Sequence, residues 1–383
     1  MYFDLEPKCR REDLYDFDEQ FKKLLRLLWE SRAKAPLVTI TGLRRMGKTS
    51  LVQTSLNESG LPYLTLNGGA FADVPVIKKR SLMRVFESEL NDIVEKEKGW
   101  GKKFLEVLKG IRWLGVDSKP PWIHFEWERP ASDLDPLDIV LSFNRLAREN
   151  KTKFIFVLDE AQEFRRLKGY SLQSLMAHIY DDIRSIQMIV TGSQFGFLYD
   201  FLGVEDPDSP LFGRGMAEIQ VPRIAGDLAT DFFMKGFEQA GIRPNGDIID
   251  LAVKKLDGIM GWLTLFGSES VKAGAPTEKI LSETIKKGSR LEARELENFL
   301  KVRKQASRRY IWILKAAAHL GTASWTDLKE NLQTKERKHV ADNVFSDLVE
   351  NLVKGTFLMK GEDGAYSIAD PLLVHALKSG FIT

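Results

Sequence analysis

Apolar residues recur at helical spacing near the start of the chain, at Leu14, Phe17, Phe21, Leu24, Leu25 and Leu28, among charged neighbours. That stripe predicts an amphipathic helix from about Glu12 to Ser31, stopped ahead of Pro36. Pro36 to Thr41 (PLVTIT) is short, apolar and β-branched, and Lys48 to Leu56 reads as helix, so the order is strand, glycine-bounded loop, helix. Leu61 to Leu66, bracketed by glycines, predicts a second strand, and a helical stretch runs from about Lys78 to Gly110. Trp113 to Pro130 is rich in tryptophan and proline, with Ile123, Phe125 and Trp127 alternating as in a strand; a helix follows from Asp135 to Glu149. Lys153 to Leu158 (KFIFVL) and Gln187 to Thr191 (QMIVT) are near-continuous apolar runs, the pattern of strands covered on both faces, and Ile219 to Val221 predicts a fifth strand. Strands alternating with helices predict a three-layer α/β domain with a parallel sheet, whose ligands sit beyond the carboxyl ends of the strands.

The pattern then changes. Helical periodicity takes over at Ala225 to Ala240, Asp247 to Leu256, Gly261 to Lys272 and Glu278 to Lys304, predicting a helical second domain. Three shorter helices follow, at Tyr310 to Leu320, Trp325 to Leu332 and Val340 to Val353, and then a hairpin of Thr356 to Lys360 and Ala365 to Ile368 around the turn 361–364. Three helices and a hairpin predict a winged helix-turn-helix. The expected organisation is a core over 1–222, a helical lid over 223–304 and a winged helix over 305–383.

Composition narrows the function classes. The chain has 383 residues, 43% apolar, 29% charged and 10% aromatic, which excludes a disordered or fibrous protein. Fifty-six Lys and Arg against 54 Asp and Glu leave a net charge of +2, so no whole-molecule field draws it to nucleic acid or an anionic membrane. The single cysteine, Cys9, excludes an intramolecular disulfide, and the five histidines show no metal-ligand spacing. The first residues lack the apolar block of a signal peptide, and no apolar run approaches the ~18 residues of a membrane helix; a cytoplasmic protein without membrane contact is expected.

The candidate chemistry lies at two strand ends. Gly42 to Thr49 (GLRRMGKT) matches G-x-x-x-x-G-K-[ST] at every defined position, between a strand and a helix. Glycines let backbone N–H groups turn around a phosphate, the new helix adds its dipole, Lys48 neutralises phosphate oxygens and the Thr49 hydroxyl can ligate Mg²⁺. The expected nucleotide-binding set is Gly42, Arg45, Met46, Gly47, Lys48, Thr49 and Ser50. Arg44 and Arg45 either add charge near the phosphates or point to solvent. Asp159 and Glu160 end a buried strand, where Asp159 can hold Mg²⁺ and Glu160 can orient an attacking water; a helix-capping role is the alternative for Asp159.

These residues resemble the archaeal ATPases of the STAND group, relatives of AAA+ proteins. The resemblance rests on Gly42 to Leu51, Asp159 to Gln162 (DEAQ), Thr191 to Ser193 (TGS), Pro210 to Arg214 (PLFGR) and Tyr366 to Leu372 (YSIADPL). It implies a core sheet of order 5-1-4-3-2, a helical lid, a C-terminal winged helix, and ATP or ADP with Mg²⁺ in the core. By that similarity Ser193 or Gln194 would sense the γ-phosphate, or else cap a loop. Arg214 would reach a phosphate of its own chain or of a neighbouring subunit, or else form a surface salt bridge. The catalytic set it implies is thus Lys48, Glu160, Ser193 and Arg214. The family's G-x-P lid signature reads here as Gly258-Ile259-Met260-Gly261, with Met260 in the proline's place.

The function this implies is a slow ATP hydrolase acting as a nucleotide-controlled switch; the alternatives are an ATP-responsive DNA-binding regulator and a scaffold that holds nucleotide without turnover. The winged helix would contact a protein or DNA, and a homo-oligomer is compatible with the pattern. Lys335, Arg337, Lys338 and His339 could meet DNA phosphates, but Asp342, Asp347 and Glu350 on the next helix would repel them, which favours a protein contact. The basic stretch Lys301, Arg303, Lys304, Arg308 and Arg309 reads as a solvated helix face, and Trp113, Trp122 and Trp127 as core rather than a partner surface.

Overall fold

The computed structural model describes residues 1–30, 37–96, 114–119, 122–127 and 135–382, with side chains outside 91–134. Five parallel strands form the central sheet: β1 (Leu37–Thr41), β2 (Tyr63–Asn67), β3 (Phe154–Asp159), β4 (Ile186–Gly192) and β5 (Ala217–Gln220). Their spatial order is β2-β3-β4-β1-β5, the 5-1-4-3-2 arrangement implied by the resemblance. The central strands β3 and β4 are buried along their whole length, as continuous apolar runs require, whereas the edge strands β2 and β5 alternate.

Because successive side chains point to opposite faces, the sheet has two cores. Val38, Ile40, Ile155, Val157 and Ile189 face α1 (Asp18–Trp29), α2 (Lys48–Ser59) and the helices α7 to α9 described below. Leu37, Phe154, Phe156, Leu158 and Met188 face α3 (Lys79–Lys96), α4 (Pro136–Glu149), α5 (Leu172–Asp182) and α6 (Phe195–Leu202). After β5 come α7 (Gly226–Gln239), α8 (Gly246–Leu256), α9 (Met260–Ala273) and α10 (Glu278–Lys301). Phe232, Phe233, Trp262 and Phe266 of α7 and α9 share the first core, so the helices expected as a lid are continuous with one face of the sheet.

The last unit has α11 (Ser307–Leu320), α12 (Trp325–Glu336), α13 (Asp342–Lys354) and α14 (Pro371–Lys378), with a three-stranded sheet of β6 (Thr322–Ala323), β7 (Leu358–Lys360) and β8 (Tyr366–Ile368) in the order β6-β8-β7. This is a winged helix. Its core includes Leu296, Phe299 and Leu300 from the end of α10 and Phe197 from α6, so it is packed onto both preceding units.

The first helix begins later than the periodicity predicts. Asp16 and Phe17 adopt positive φ (56° and 63°), and α1 starts at Asp18 rather than Glu12. The turn drives the Phe17 ring against Gly47, where an added Cβ would lie 3.2 Å from it. The helix expected over 78–110 runs at least to Lys96, its remainder lying outside the described residues. Leu114–Lys119 and Trp122–Trp127 pair as an antiparallel hairpin, which contains the expected alternating strand; the surroundings of Trp113, Trp122 and Trp127 lie outside the described residues.

Candidate functional site

Strand register assembles the site. Thr41 lies beside Gly192, and Leu158 beside Val190, so β1, β3 and β4 end at one edge of the sheet. From Thr41 the chain enters a loop that only glycine can begin: a Cβ on Gly42 would sit 2.7 Å from the Val221 carbonyl. Arg45 and Gly47 both take positive φ (61° and 88°), the alternation that aims backbone N–H groups into a concavity, and α2 starts directly at Lys48.

Lys48 is buried, 4% exposed, and its Nζ donates to the carbonyls of Gly42 (3.0 Å) and Leu43 (2.9 Å). Burial lowers its pKa, with the Glu160 and Asp159 charges partly opposing. The Thr49 hydroxyl donates to Asp159 Oδ2 at 3.2 Å, while the Thr191 hydroxyl donates to Asp159 Oδ1 and itself accepts the Glu160 N–H at 3.1 Å. Burial, then the neighbouring Glu160 charge, raise the Asp159 pKa. Glu160 stands at φ 48°, a left-handed conformation that turns its side chain out of the strand direction towards the loop. Its Oε2 accepts from Ser193 Oγ (2.5 Å) and Gln162 Nε2 (2.6 Å), and its Oε1 lies 3.9 Å from Lys48 Nζ. Burial would push this carboxyl up, but Lys48 and Arg44 outweigh it and hold it below the ordinary range, so Glu160 is ionised at neutral pH.

Of the expected residues, then, Gly42, Gly47, Lys48, Thr49, Asp159, Glu160 and Ser193 converge. Met46 is buried beneath the loop and Ser50 Oγ accepts the backbone N–H of Lys8 at 3.0 Å, tying the N-terminal segment to α2. Gln194 is buried beside Ser193 but is not among the groups bonded to Glu160. Arg44 and Arg45 do not point to solvent. Arg44 pairs with Glu295, and Arg45 pairs with Glu292 and Glu295 of α10 while lying 4.3 Å over the Trp262 ring. Trp262 Nε1 in turn donates to Asp370 Oδ2 of the winged helix at 2.9 Å.

The expectation that Arg214 reaches a phosphate of its own chain is corrected. Its Nε donates to Asp181 Oδ1 at 3.1 Å, at the end of α5 just before β4 begins, which is the sheet edge opposite the strand ends that carry the site. The alternative expected for it, a surface salt bridge, is what Arg214 forms with Asp181. The basic stretch is not a uniform solvated face either, since Arg303 turns inward onto Phe197 and Phe299 and Arg309 pairs with Glu336.

Sequence reasoning missed the other wall. A cavity of about 270 Å³ extends from Gly47, Lys48 and Thr49 to the N-terminal residues Pro7, Leu14, Tyr15 and Phe17, with Met260, Gly261 and Thr264 of α9 opposite. The lid signature, despite its methionine, therefore borders the site, and the Gly261 N–H donates to the Arg45 carbonyl at 2.8 Å. The aromatic run Tyr2, Phe3, Tyr15 and Phe17 was the available signal. The site thus joins a backbone nest, a hard-oxygen pair (Thr49, Asp159) suited to Mg²⁺ and an ionised carboxylate fixed by Ser193, beside a chamber whose walls mix aromatic residues with Asp4, Glu6, Lys8 and Asp13.

Comparison with known proteins agrees with this geometry. The Walker-type ATPase paby2304 of Pyrococcus abyssi superposes with a TM-score of 0.81 at 30% identity, over 99% of this chain and 100% of that one. The ORC2 protein of Aeropyrum pernix matches with a TM-score of 0.60 in its ADPNP-ADP complexes (13% identity, 98% and 96% of the two chains) and of 0.51 in its ADP form (11%, 94% and 91%). At those identities the likeness to ORC2 is one of fold. Residues 304–369 match the family model described as the MCM protein C-terminal winged helix-turn-helix domain. No curated protein matches the chain.

Proposed function

We propose, since this chain belongs to the family of Walker-type ATPases represented by the Pyrococcus abyssi protein, that it binds ATP with Mg²⁺, hydrolyses it slowly, and uses the nucleotide to set the position of its winged helix against a partner. The observation that carries the reading is the meeting of Thr49 and Asp159, 3.2 Å apart though 110 positions separate them, next to Lys48 and Glu160. The finer placement in the STAND group rests on the five sequence blocks above.

The residues fit the nucleotide and its metal. Lys48 now donates to two carbonyls, weaker acceptors than phosphate oxygens, and would shift to a phosphate without losing hydrogen bonds. Thr49 and Asp159 offer two oxygens and no soft ligand, the sparse protein set that Mg²⁺ takes alongside phosphates and water. When bound, Mg²⁺ neutralises charge on the phosphates. Backbone N–H groups of the loop orient the phosphates, and Glu160, kept ionised by Lys48 and Arg44 and held in place by Ser193 and Gln162, accepts a proton from the attacking water.

The switch half of the reading is supported by a second contact of Ser193. Its hydroxyl holds Glu160 while its carbonyl lies 3.1 Å from the Thr356 hydroxyl of the winged helix, which it shares as acceptor with the Gly355 carbonyl at 2.7 Å, so one residue touches both the catalytic carboxylate and the winged helix. Lys354, at the end of α13, also pairs with Asp200 of α6. The partner is read as a protein, since α13 carries exposed acids; DNA is the second reading, because a winged helix-turn-helix can place a helix in a groove, and salt-titrated DNA binding separates the two. A cytoplasmic place suits a chain whose described helices include none long and apolar enough to cross a membrane.

Thermal melting tests nucleotide binding. At 100 times the dissociation constant Mg-ATP should stabilise the wild type by about 2.7 kcal/mol, and Lys48→Ala should remove the shift. A wild type that melts identically with and without millimolar Mg-ATP defeats the reading.

A further inference from the structure

A second cavity, of about 180 Å³, lies on the far side of Glu160, whose carboxylate borders both spaces. Four arginines reach it: Arg44, Arg165, Arg166 and Arg303. Two of them are neutralised, Arg44 by Glu295 and Arg166 by Glu163. Arg165 and Arg303 are not. Among the described residues neither has a carboxylate within ion-pair distance, and both lie against one ring, with their guanidinium carbons 3.9 Å and 5.0 Å from the Phe197 centroid.

Arg165 Nη1 is buried without a hydrogen-bond partner, which costs free energy, whereas Arg303 Nη1 donates to the Phe299 carbonyl at 3.1 Å. Burial and the neighbouring Arg303 charge bring the Arg165 pKa down to about 10, against the pull of Glu163. Two guanidiniums without a carboxylate partner, both bordering a space large enough for several water molecules, favour an anion there. A guanidinium fork matches an oxyanion bidentately.

We propose that the cavity bordered by Arg165 and Arg303 binds inorganic phosphate, receiving the product as it leaves the nucleotide pocket past Glu160. The choice of phosphate rests on the ATPase reading above; the choice of place rests on the two arginines that lack a carboxylate partner. The two belong to different parts of the molecule: Arg165 follows β3 in the core, and Arg303 follows α10 at the entry to the winged helix. A phosphate held by both staples the winged helix to the core after hydrolysis, and its departure releases that staple.

The test titrates inorganic phosphate into the full chain loaded with Mg-ADPNP, which keeps the γ position filled, and follows binding by calorimetry. Saturable binding is expected, weakened about tenfold or more by Arg165→Ala and by Arg303→Ala and unchanged by Arg308→Ala, an exposed control with the same loss of charge. Arg165→Lys keeps the charge and the stem over Phe197, guarding against a folding defect, and should weaken binding by severalfold through loss of the fork. Absence of saturable binding to the wild type, or equal affinity in the Arg165 and Arg303 variants and the Arg308 control, overturns the site. A chain that fails to take ADPNP defeats the ATPase reading instead, and the same titration without nucleotide then still decides the phosphate site.

Discussion

The loop 42–47 has an inner and an outer side, and their partners differ in kind. On the inner side Lys48 donates to carbonyls five and six positions away, and glycines shape the turn. On the outer side Arg44 and Arg45 are held by glutamates about 250 positions away, on the helix that leads into the winged helix. The inner side depends on backbone geometry that a short motif encodes. The outer side depends on how the whole chain packs, so it couples the loop to distant units while leaving the phosphate-binding surface itself local.

Changes to the inner side should therefore act on chemistry, and changes to the outer side on stability and coupling. The largest effect is expected from Glu160→Gln, which should slow phosphate release by about 10²–10⁴-fold while leaving Mg-ATP binding intact. Next, Arg45→Ala removes its pairs with Glu292 and Glu295 and its contact with the Trp262 ring, and should lower stability by about 2 kcal/mol in denaturant unfolding, with the motif itself intact. Thr356→Val removes the bond to the Ser193 carbonyl; a cost of about 1 kcal/mol is expected, together with a loss of nucleotide dependence in protease cleavage around the winged helix. Unaltered cleavage patterns would separate the switch from that contact.

The smallest expected effect concerns pH. Burial, and then the carboxylates Asp370 and Glu295, raise the Glu292 pKa well above the ordinary value, against the pull of Arg45 and Arg44. Between the unfolded value, about 4.3, and the raised one, the folded state holds the proton more readily, so this contribution is complete below the unfolded value and fades as pH rises through the folded one. Glu292→Gln cannot titrate. Melting curves from pH 5 to 8 should show the wild type losing stability relative to this variant as pH rises; parallel curves would contradict the assignment.

Much of the inner side was legible in the sequence. The spacing of Gly42, Gly47, Lys48 and Thr49 and the apolar run ending at Asp159 encode local geometry, and burial on both faces of β3 and β4 follows from uninterrupted apolar residues. The outer side was not. Nothing in the stretch around Glu292 and Glu295 distinguishes a buried acid and a half-buried one from a solvated helix face, and Thr356 reads as an ordinary strand residue, although it stands at φ 58° and delays β7 to Leu358. Arg214 illustrates the converse: a motif supplied the residue, but the direction of α5 decides which sheet edge it occupies, and that edge is the far one. The break at Asp16 and Phe17 escaped because positive φ at non-glycine residues leaves no compositional trace.

One comparison puts the central claim at risk: ATP retention and phosphate release measured together on the wild type, Lys48→Ala and Glu160→Gln. The wild type should bind and release phosphate, Lys48→Ala should do neither, and Glu160→Gln should bind without release. Wild-type turnover in either variant would mean that the strand-end site around Lys48 and Asp159 is not where this chain hydrolyses nucleotide.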